Sequence, residues 1–292
     1  GVLIGAVGAL AVVAIWSPFF NEFMSRLSGS DIRVDGFSLQ VNAIRWGLTV
    51  LGLATALAGY IYPVRQYLGR AEQAGQLQAG DQRRYVRRML LGACLAGIPL
   101  LGTWGSLQWA PKWAIALAAQ LPAEGGPYFA KEYTLIAMAA GAIIGTIVAA
   151  LLCDWLGRRW TYALLAVASF GALVYLYQAN DAFGPKLLAS TFAAGAVTAA
   201  VYGWFPLYLP ELFPTSVRAT AQGFAFNFGR ILSAVGSLQT ATLTAYFAQG
   251  VPADRIEIEA FPHAGATLAT IYLIGLLIIW FGPETRGQPL PS

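Results

Sequence analysis

Long apolar runs separated by short polar connectors dominate this chain. A transmembrane helix needs about 20 mostly apolar residues, and by that measure the sequence predicts eight spans. They lie at roughly 1–20, 43–63, 90–118, 133–152, 160–178, 187–209, 219–247 and 265–282. The runs lack the period-two alternation of barrel strands, so we expect an all-α, polytopic transmembrane helix bundle. Two spans carry the same run of small residues, Ala139–Ala142 and Ala193–Ala196, where we expect helix backbones to approach closely.

The composition supports a membrane protein and argues against two other classes. Of the 292 residues, 57% are hydrophobic and 11% are charged, against about 25% charged in a typical soluble domain. The net charge of +4 is dispersed or confined to short connectors, so nucleic acid is not an expected partner. Cys94 and Cys153 have no metal-ligand spacing, so we predict free thiols, no metal and no cofactor.

The charges in the connectors predict the orientation. With eight spans, one side holds 65–89, 153–159, 210–218 and the tail. The ten Lys/Arg residues of that side are Arg65, Arg70, Arg83, Arg84, Arg87, Arg88, Arg158, Arg159, Arg218 and Arg286. The positive-inside rule places this side in the cytoplasm, so we expect a multi-pass protein of the inner or plasma membrane with a cytoplasmic C-terminus. The lipid bilayer is then its first partner.

Three short motifs occur at predicted helix ends on that same side. They are Asp154–Arg159 (DWLGRR), Pro210–Arg218 (PELFPTSVR) and Pro283–Gly287 (PETRG). Each brings a carboxylate and a guanidinium to the water boundary, where bidentate pairs would join neighbouring helix ends into one network. The alternative for any single motif is an ordinary set of positive-inside loop charges.

These motifs resemble those of major facilitator superfamily transporters, especially the sugar-porter and metabolite:proton symporter branches. Those proteins carry D-x-x-G-R-R between helices eight and nine, P-E-[LI]-F-P-T-x-x-R between ten and eleven, and P-E-T-[KR]-G after twelve. The resemblance covers about residues 90–287. It implies the major facilitator fold with about eight of twelve spans present, in a fragment lacking about the first four helices.

The resemblance also implies a domain organisation and an inner-gate charge network. Residues 1–64 correspond to helices five and six, 65–89 to the cytoplasmic inter-domain loop, and 90–292 to the C-terminal six-helix bundle. The implied network residues are Asp154, Gly157, Arg158, Arg159, Glu211, Arg218, Glu284 and Arg286.

Arg230 is the principal candidate for substrate binding. A helix that begins near Ala219 puts Arg230 about 16 Å along its length, where an arginine costs at least about 2.5–3.5 kcal/mol unless it faces protein or water. Its setting, Asn227–Arg230, resembles the Gly-Arg of aromatic-acid and related organic-acid symporters, and Asn227 would share its role. The alternative is a later helix start that lets Arg230 join the cytoplasmic network.

Three further side chains are candidates for the substrate path. Trp104 and Gln108 are four residues apart and would share one helix face, with Trp204 facing them from the tenth helix. The alternative for these aromatic residues is packing and interfacial anchoring. Sugar porters usually carry Trp where this chain has Pro206, and no clear Gln-Gln pair occurs in the seventh helix, which weighs against a sugar.

The predicted function is secondary transport of a small polar metabolite, an organic acid anion or a sugar, by alternating access. A co-transported proton would need a buried titratable group, and no carboxylate lies in the middle of a predicted span, so coupling stays open. Two alternatives are an integral membrane enzyme, which would need clustered catalytic side chains, and a channel, which would need rings of polar residues. Scattered carboxylates and a single histidine favour neither, and we predict that the chain is not an enzyme.

Overall fold

The structure, a computed structural model, describes residues 1–28, 39–78, 80–121 and 129–291. Its regular elements in these ranges are helices. They are α1 (Val2–Ile15), α2 (Pro18–Ser28), α3 (Leu39–Gln73), α4 (Asp81–Gly105), α5 (Ala110–Ala118), α6 (Ala130–Leu156), α7 (Arg158–Gln178), α8 (Pro185–Glu211), α9 (Arg218–Phe247), α10 (Ile256–Ala269) and α11 (Ile271–Ile278). Short 3-10 turns lie at Leu107–Trp109, Ala253–Arg255 and Ile279–Phe281.

Within the described ranges, six helical segments are long and apolar enough to cross a membrane. They are Ala43–Gln73, Asp81–Ala118, Ala130–Leu156, Arg158–Gln178, Pro185–Glu211 and Ala253–Phe281. The predicted all-α, polytopic transmembrane bundle is therefore confirmed. Two predicted spans fall outside this set: α1 has only 14 residues, and α9, with 30 residues, is too polar.

The chain divides into two compact units, Gly1–Arg87 and Arg88–Ser292. In the first unit, α1 packs along α3. In the second, α6 packs along α8, while α7 contacts α8, α10 and α11, and α9 contacts α10. The second unit contains the three charged motifs.

The predicted close approach of small residues is confirmed between α6 and α8. A Cβ at Gly141 would overlap the carbonyl oxygen of Phe192, and a Cβ at Gly195 would overlap that of Met138. Because lipid supplies no hydrophobic force between helices, such backbone contact is what holds this pair together.

The loop predicted over 65–89 is wrong for most of its length. Helix α3 continues to Gln73 and α4 begins at Asp81, so only a short connection separates them. The segment is rich in Gln, Arg, Ala and Leu, which are good helix formers even where they are polar. Polarity alone therefore marked the membrane boundary but not the end of the helix.

The predicted span 90–118 is interrupted. Helix α4 ends at Gly105, a 3-10 turn follows, and α5 begins at Ala110 with Pro111 in its first turn. Pro111 has no N–H and its ring opposes the carbonyl four residues earlier, which favours a break in the α-helix at this point. The freed carbonyl of Gly105 accepts from the Thr240 hydroxyl at 2.8 Å, and that of Ser106 accepts from the Tyr177 hydroxyl at 2.8 Å.

Candidate functional site

Arg158, the first residue of α7, and Glu211, the last residue of α8, form the centre of a charge cluster. The Arg158 Nε donates to Glu211 Oε2 at 3.0 Å, and Nη2 donates to Oε1 at 2.7 Å. Its Nη1 donates to the Cys153 carbonyl at 2.7 Å and to Asp154 Oδ1 at 3.1 Å. The side chains of Arg158 and Glu211 are only 8% and 14% exposed, whereas that of Asp154 is 75% exposed. The buried, bidentate partner of Arg158 is therefore Glu211.

Glu284 completes the cluster through backbone groups. Its carboxylate accepts the N–H groups of Arg158 at 2.9 Å and of Arg159, Thr285 and Arg286 at 3.0 Å each. The first two are free donors at the start of α7, where the helix dipole also favours a negative charge. Burial alone would raise the pKa of Glu284, but these four hydrogen bonds outweigh it and hold the pKa below its usual value. Glu284 thus acts as a cap on α7.

Gly157 makes this capping geometry possible. It joins α6 to α7 with φ at +87°, a conformation that side-chain-bearing residues rarely adopt. A Cβ there would also lie 3.0 Å from Glu284 Oε2. Glycine is therefore required both by the turn and by the carboxylate that approaches it.

Two neutral side chains tie the last motif to the end of α8. The Thr285 hydroxyl donates to Glu211 Oε2 at 2.6 Å. The Tyr208 hydroxyl, one turn before Glu211, donates to the Pro283 carbonyl at 2.9 Å. The segment after α11 is thereby fixed to the same carboxylate that holds Arg158.

Trp204 belongs to this cluster rather than to the predicted substrate path. Its side chain is completely buried, and its Nε1 donates to the Arg158 carbonyl at 2.7 Å. The indole packs against Tyr162 and Tyr208, with ring centroids 4.8 and 4.6 Å away. The prediction that Trp204 faces Trp104 is wrong, because the indole N–H is used at the α7 end of the cluster.

Arg159 and Arg286 lie at the edge of the cluster. The Arg159 guanidinium stacks over the Trp280 ring at 5.0 Å and donates to the Trp280 carbonyl at 2.8 Å. Arg286 contributes its backbone N–H to Glu284, while its side chain is exposed.

Arg218, another predicted network residue, bonds to backbone carbonyls rather than to a carboxylate in the described part of the chain. Its Nε donates to the Pro210 and Phe213 carbonyls at 3.2 Å, and its Nη2 donates to the Pro291 carbonyl at 2.9 Å. Arg218 therefore closes the loop between α8 and α9 onto the C-terminal segment.

Arg230 lies about 18 Å along α9, since that helix already begins at Arg218. The alternative of a later helix start is therefore wrong. The guanidinium is exposed and stacks over Phe226 at 4.7 Å, and the described residues give it no carboxylate partner. Phe226 contacts Phe205, and Phe205 contacts Tyr202, with centroids 6.3 and 6.4 Å apart. An arginine with one face on an aromatic ring keeps its N–H edge free for an anion.

The other predicted substrate-binding residues on α9 and near the end of α4 are exposed, but they do not share one helix face. The Asn227 side-chain amide donates one hydrogen bond to the Gly223 carbonyl at 2.8 Å. Trp104 and Gln108 are both exposed, yet the shared helix face predicted for them is wrong, because α4 ends between them. In the described ranges no group of three or more His, Cys, Asp or Glu side chains could hold a metal ion.

The geometry agrees with a comparison to known families. The family model described as "Sugar (and other) transporter" matches residues 128–292, which include all three motifs and Arg230. The chain belongs to this transporter family. Its charge cluster joins the family's motif residues within the second compact unit.

Two relatives of the chain are named as bacterial transporters. The chain is 33% identical over 157 residues to a cis,cis-muconate transport protein of Acinetobacter baylyi, covering 53% of this chain and 36% of that protein. It is 28% identical over 219 residues to a probable 4-methylmuconolactone transporter of Cupriavidus pinatubonensis, covering 75% and 46%. The chain thus spans less than half the length of these two relatives.

Solved structures show the same fold. The major facilitator proton:xylose symporter XylE, bound to 6-bromo-6-deoxy-D-glucose, superposes with a TM-score of 0.53 at 18% identity over 69% of this chain and 46% of that one. Together with the family match, this assigns the chain to the major facilitator superfamily as a multi-pass membrane protein, in a family of transporters rather than enzymes.

Proposed function

We propose that this chain is part of a secondary carrier that moves a small organic acid anion across the membrane by alternating access. The observation that carries the proposal is Arg230. It is a permanently charged group about 18 Å along α9, exposed and stacked on Phe226. In our proposal α9 crosses the membrane with the rest of the bundle, and a charge midway along such a helix is expensive unless it meets water or a partner. An anionic substrate supplies that partner.

The chemistry of the guanidinium fits a carboxylate. Its planar fork can donate two parallel hydrogen bonds to the two oxygens of a carboxylate. The partly exposed rings of Phe226 and Tyr202, which both pack against buried Phe205, offer apolar surface to the carbon skeleton of the same molecule. Exposed Asn227, one turn away, retains amide capacity for a further hydrogen bond.

The names of the relatives support this substrate class. One is named for cis,cis-muconate and another for 4-methylmuconolactone, and both compounds carry a carboxylate. The family description, which includes sugars, makes a sugar the second candidate.

The charge cluster and the sidedness complete the proposal. We place the cluster and the C-terminus on the cytoplasmic side of the inner or plasma membrane, because the connectors on that side are rich in arginine. There the cluster acts as part of the inner gate, holding the ends of α6, α7 and α8 and the segment after α11 as one body while the two halves rock. Residues 1–64 and 90–292 would belong to opposite halves.

The test is uptake of a labelled panel by cells or proteoliposomes containing the full-length protein. The panel contains muconate and benzoate as carboxylates, their amides as neutral analogues, and xylose. We expect saturable uptake of a carboxylate, lowered at least about 10-fold by Arg230→Ala, since a hydrogen-bonded charge is worth about 1.5–3 kcal/mol. An imposed proton gradient added to the same assay tests coupling to a proton.

The matched control is Arg255→Ala, which removes an exposed arginine paired with Glu259 at 2.9 Å. Uptake by this variant should equal that of the wild type at equal surface expression. Unchanged carboxylate uptake in Arg230→Ala would refute the role of Arg230, and non-saturable uptake would favour a channel.

A further inference from the structure

A polar groove follows one face of α3 where this helix leaves its apolar part. The groove has a volume of about 500 Å³. It is lined by Tyr62, Arg65, Gln66, Gly69, Arg70, Gln73 and Gln82. The first six residues recur at helical spacing, so they form a single stripe along α3. The lining contains two guanidinium groups and no carboxylate.

The opposite face of the same helix segment is buried. Val64, Leu68 and Ala71 are at most 8% exposed, whereas Arg65 and Arg70 are exposed. In the described ranges neither arginine has a side-chain hydrogen bond or ion pair. The stripe therefore presents two uncompensated positive charges on a fixed scaffold.

The start of α4 closes the groove from the other side. The Gln82 side chain donates to the Arg65 carbonyl at 3.0 Å, and the Gly80 N–H donates to Glu72 Oε1 at 2.7 Å. These bonds hold the start of α4 against the end of α3. The Glu72 carboxylate near the groove accepts a hydrogen bond from the backbone. An anion that enters the groove thus meets arginines and amides rather than a competing acid.

We propose that this groove binds the phosphodiester headgroup of an anionic membrane lipid. Helix α3 is long and apolar enough over Ala43–Gln73 to cross a membrane, and the groove begins at Tyr62, an aromatic residue of the kind that marks the bilayer interface. From Tyr62 to Gln73 the stripe extends about 16 Å along the helix. In this proposal it starts at the level of the lipid headgroups and ends in the water beyond them. Paired guanidinium groups bind phosphate strongly, and basic pockets at this depth bind anionic headgroups.

The position of the groove favours a lipid over a soluble phosphate. A lipid can leave its acyl chains along the apolar part of α3 while its headgroup reaches Arg65, whereas a soluble phosphate has no such second contact. The proposed site is independent of the transported substrate. Failure of the lipid site would leave the assignment of Arg230 unaffected.

The test is a lipid titration of the purified full-length protein in detergent, with bound lipid counted by native mass spectrometry. The probes are phosphatidylglycerol, phosphatidylcholine and inorganic phosphate. The groove variant is Arg65→Gln with Arg70→Gln. The matched control is Arg83→Gln with Arg84→Gln, which removes the same charge from exposed positions outside the groove.

We expect the wild type to prefer phosphatidylglycerol over phosphatidylcholine. The groove variant should bind phosphatidylglycerol about 30-fold more weakly than the wild type. Arg65→Gln and Arg70→Gln alone should each weaken binding roughly fivefold. The control pair should change the affinity by less than about threefold, because exposed charges are screened. Equal losses in the groove and control variants would overturn the site. Inorganic phosphate that competes at the same concentration as the lipid would overturn the lipid assignment.

Discussion

Replacing Glu211 tests the geometry of the charge cluster most sharply, because Asp154 provides an internal comparison. Both carboxylates contact Arg158, but they differ in burial and in bonding. Glu211 accepts two hydrogen bonds from the guanidinium and one from Thr285. Asp154 accepts one, at 3.1 Å, with 75% of its side chain exposed.

The magnitudes follow from that difference. Glu211→Gln leaves the Arg158 guanidinium, 8% exposed, without its buried bidentate partner and with only the exposed Asp154 carboxylate, and it turns one amide donor toward the guanidinium. Removing one partner of a buried pair costs about 3–5 kcal/mol. Because Arg158 and Glu211 lie at helix ends near water, we expect the lower value, about 3 kcal/mol. Asp154→Asn removes an exposed pair that is worth about 0–1 kcal/mol.

The assay is thermal unfolding of the purified protein in detergent, followed by tryptophan fluorescence. For a domain of this size, 1 kcal/mol shifts the melting temperature by about 2–4 °C, so Glu211→Gln should lower it by roughly 6–12 °C and Asp154→Asn by no more than about 4 °C. A double variant, Arg158→Leu with Glu211→Leu, should lie closer to the wild type than Glu211→Gln, because it leaves no unpaired buried charge. Equal destabilisation by Glu211→Gln and Asp154→Asn would refute the reasoning.

Three further predictions concern the same cluster and use the same assay. Gly157→Ala should destabilise by about 1–3 kcal/mol through its positive φ, whereas Gly171→Ala, on the open side of α7, should be neutral or slightly stabilising. Trp204→Phe should cost about 1–3 kcal/mol, because the Arg158 carbonyl loses its buried donor. The lowered pKa of Glu284 stabilises the fold above the usual glutamate pKa of about 4.3, and this contribution is lost as the pH falls through the lowered value. Glu284→Gln should therefore flatten the fall in melting temperature on acidification, and an unchanged pH profile would contradict the capping role.

Much of the fold follows from the sequence because membrane helices are set by length and hydropathy. The apolar runs predicted the bundle, and the repeated small residues predicted the close approach of α6 and α8 at Gly141 and Gly195. The misses have local causes. A 3-10 turn before Pro111 separates α4 from α5, and the polar helix formers after Pro63 extend α3 to Gln73, so hydropathy alone misjudged both segments.

The charge cluster was predictable as a set of residues but not as a pattern of bonds. Motif spacing indicates that Arg158, Glu211 and Glu284 lie at helix ends, yet it does not show which carboxylate pairs with a guanidinium and which caps a helix. Trp204 illustrates the limit, because an indole buried beside a carbonyl looks the same in sequence as one that lines a cavity. The structure shows that Trp204 lies far from Trp104 in the direction along α4. Trp204 packs on Tyr162, and the Tyr162 hydroxyl donates to the Leu95 carbonyl. Leu95 lies about 13 Å before Trp104 along α4.

Binding of an organic anion by Arg230 is tested most directly by equilibrium binding of a carboxylate and its neutral amide to purified wild-type protein and to Arg230→Gln. Isothermal titration in detergent gives the two affinities for each protein. We expect the wild type to bind the carboxylate about 10- to 150-fold more tightly than the amide, and Arg230→Gln to abolish this preference. Equal affinity of wild type for carboxylate and amide, or a preference that survives in Arg230→Gln, would contradict binding of the anion by Arg230.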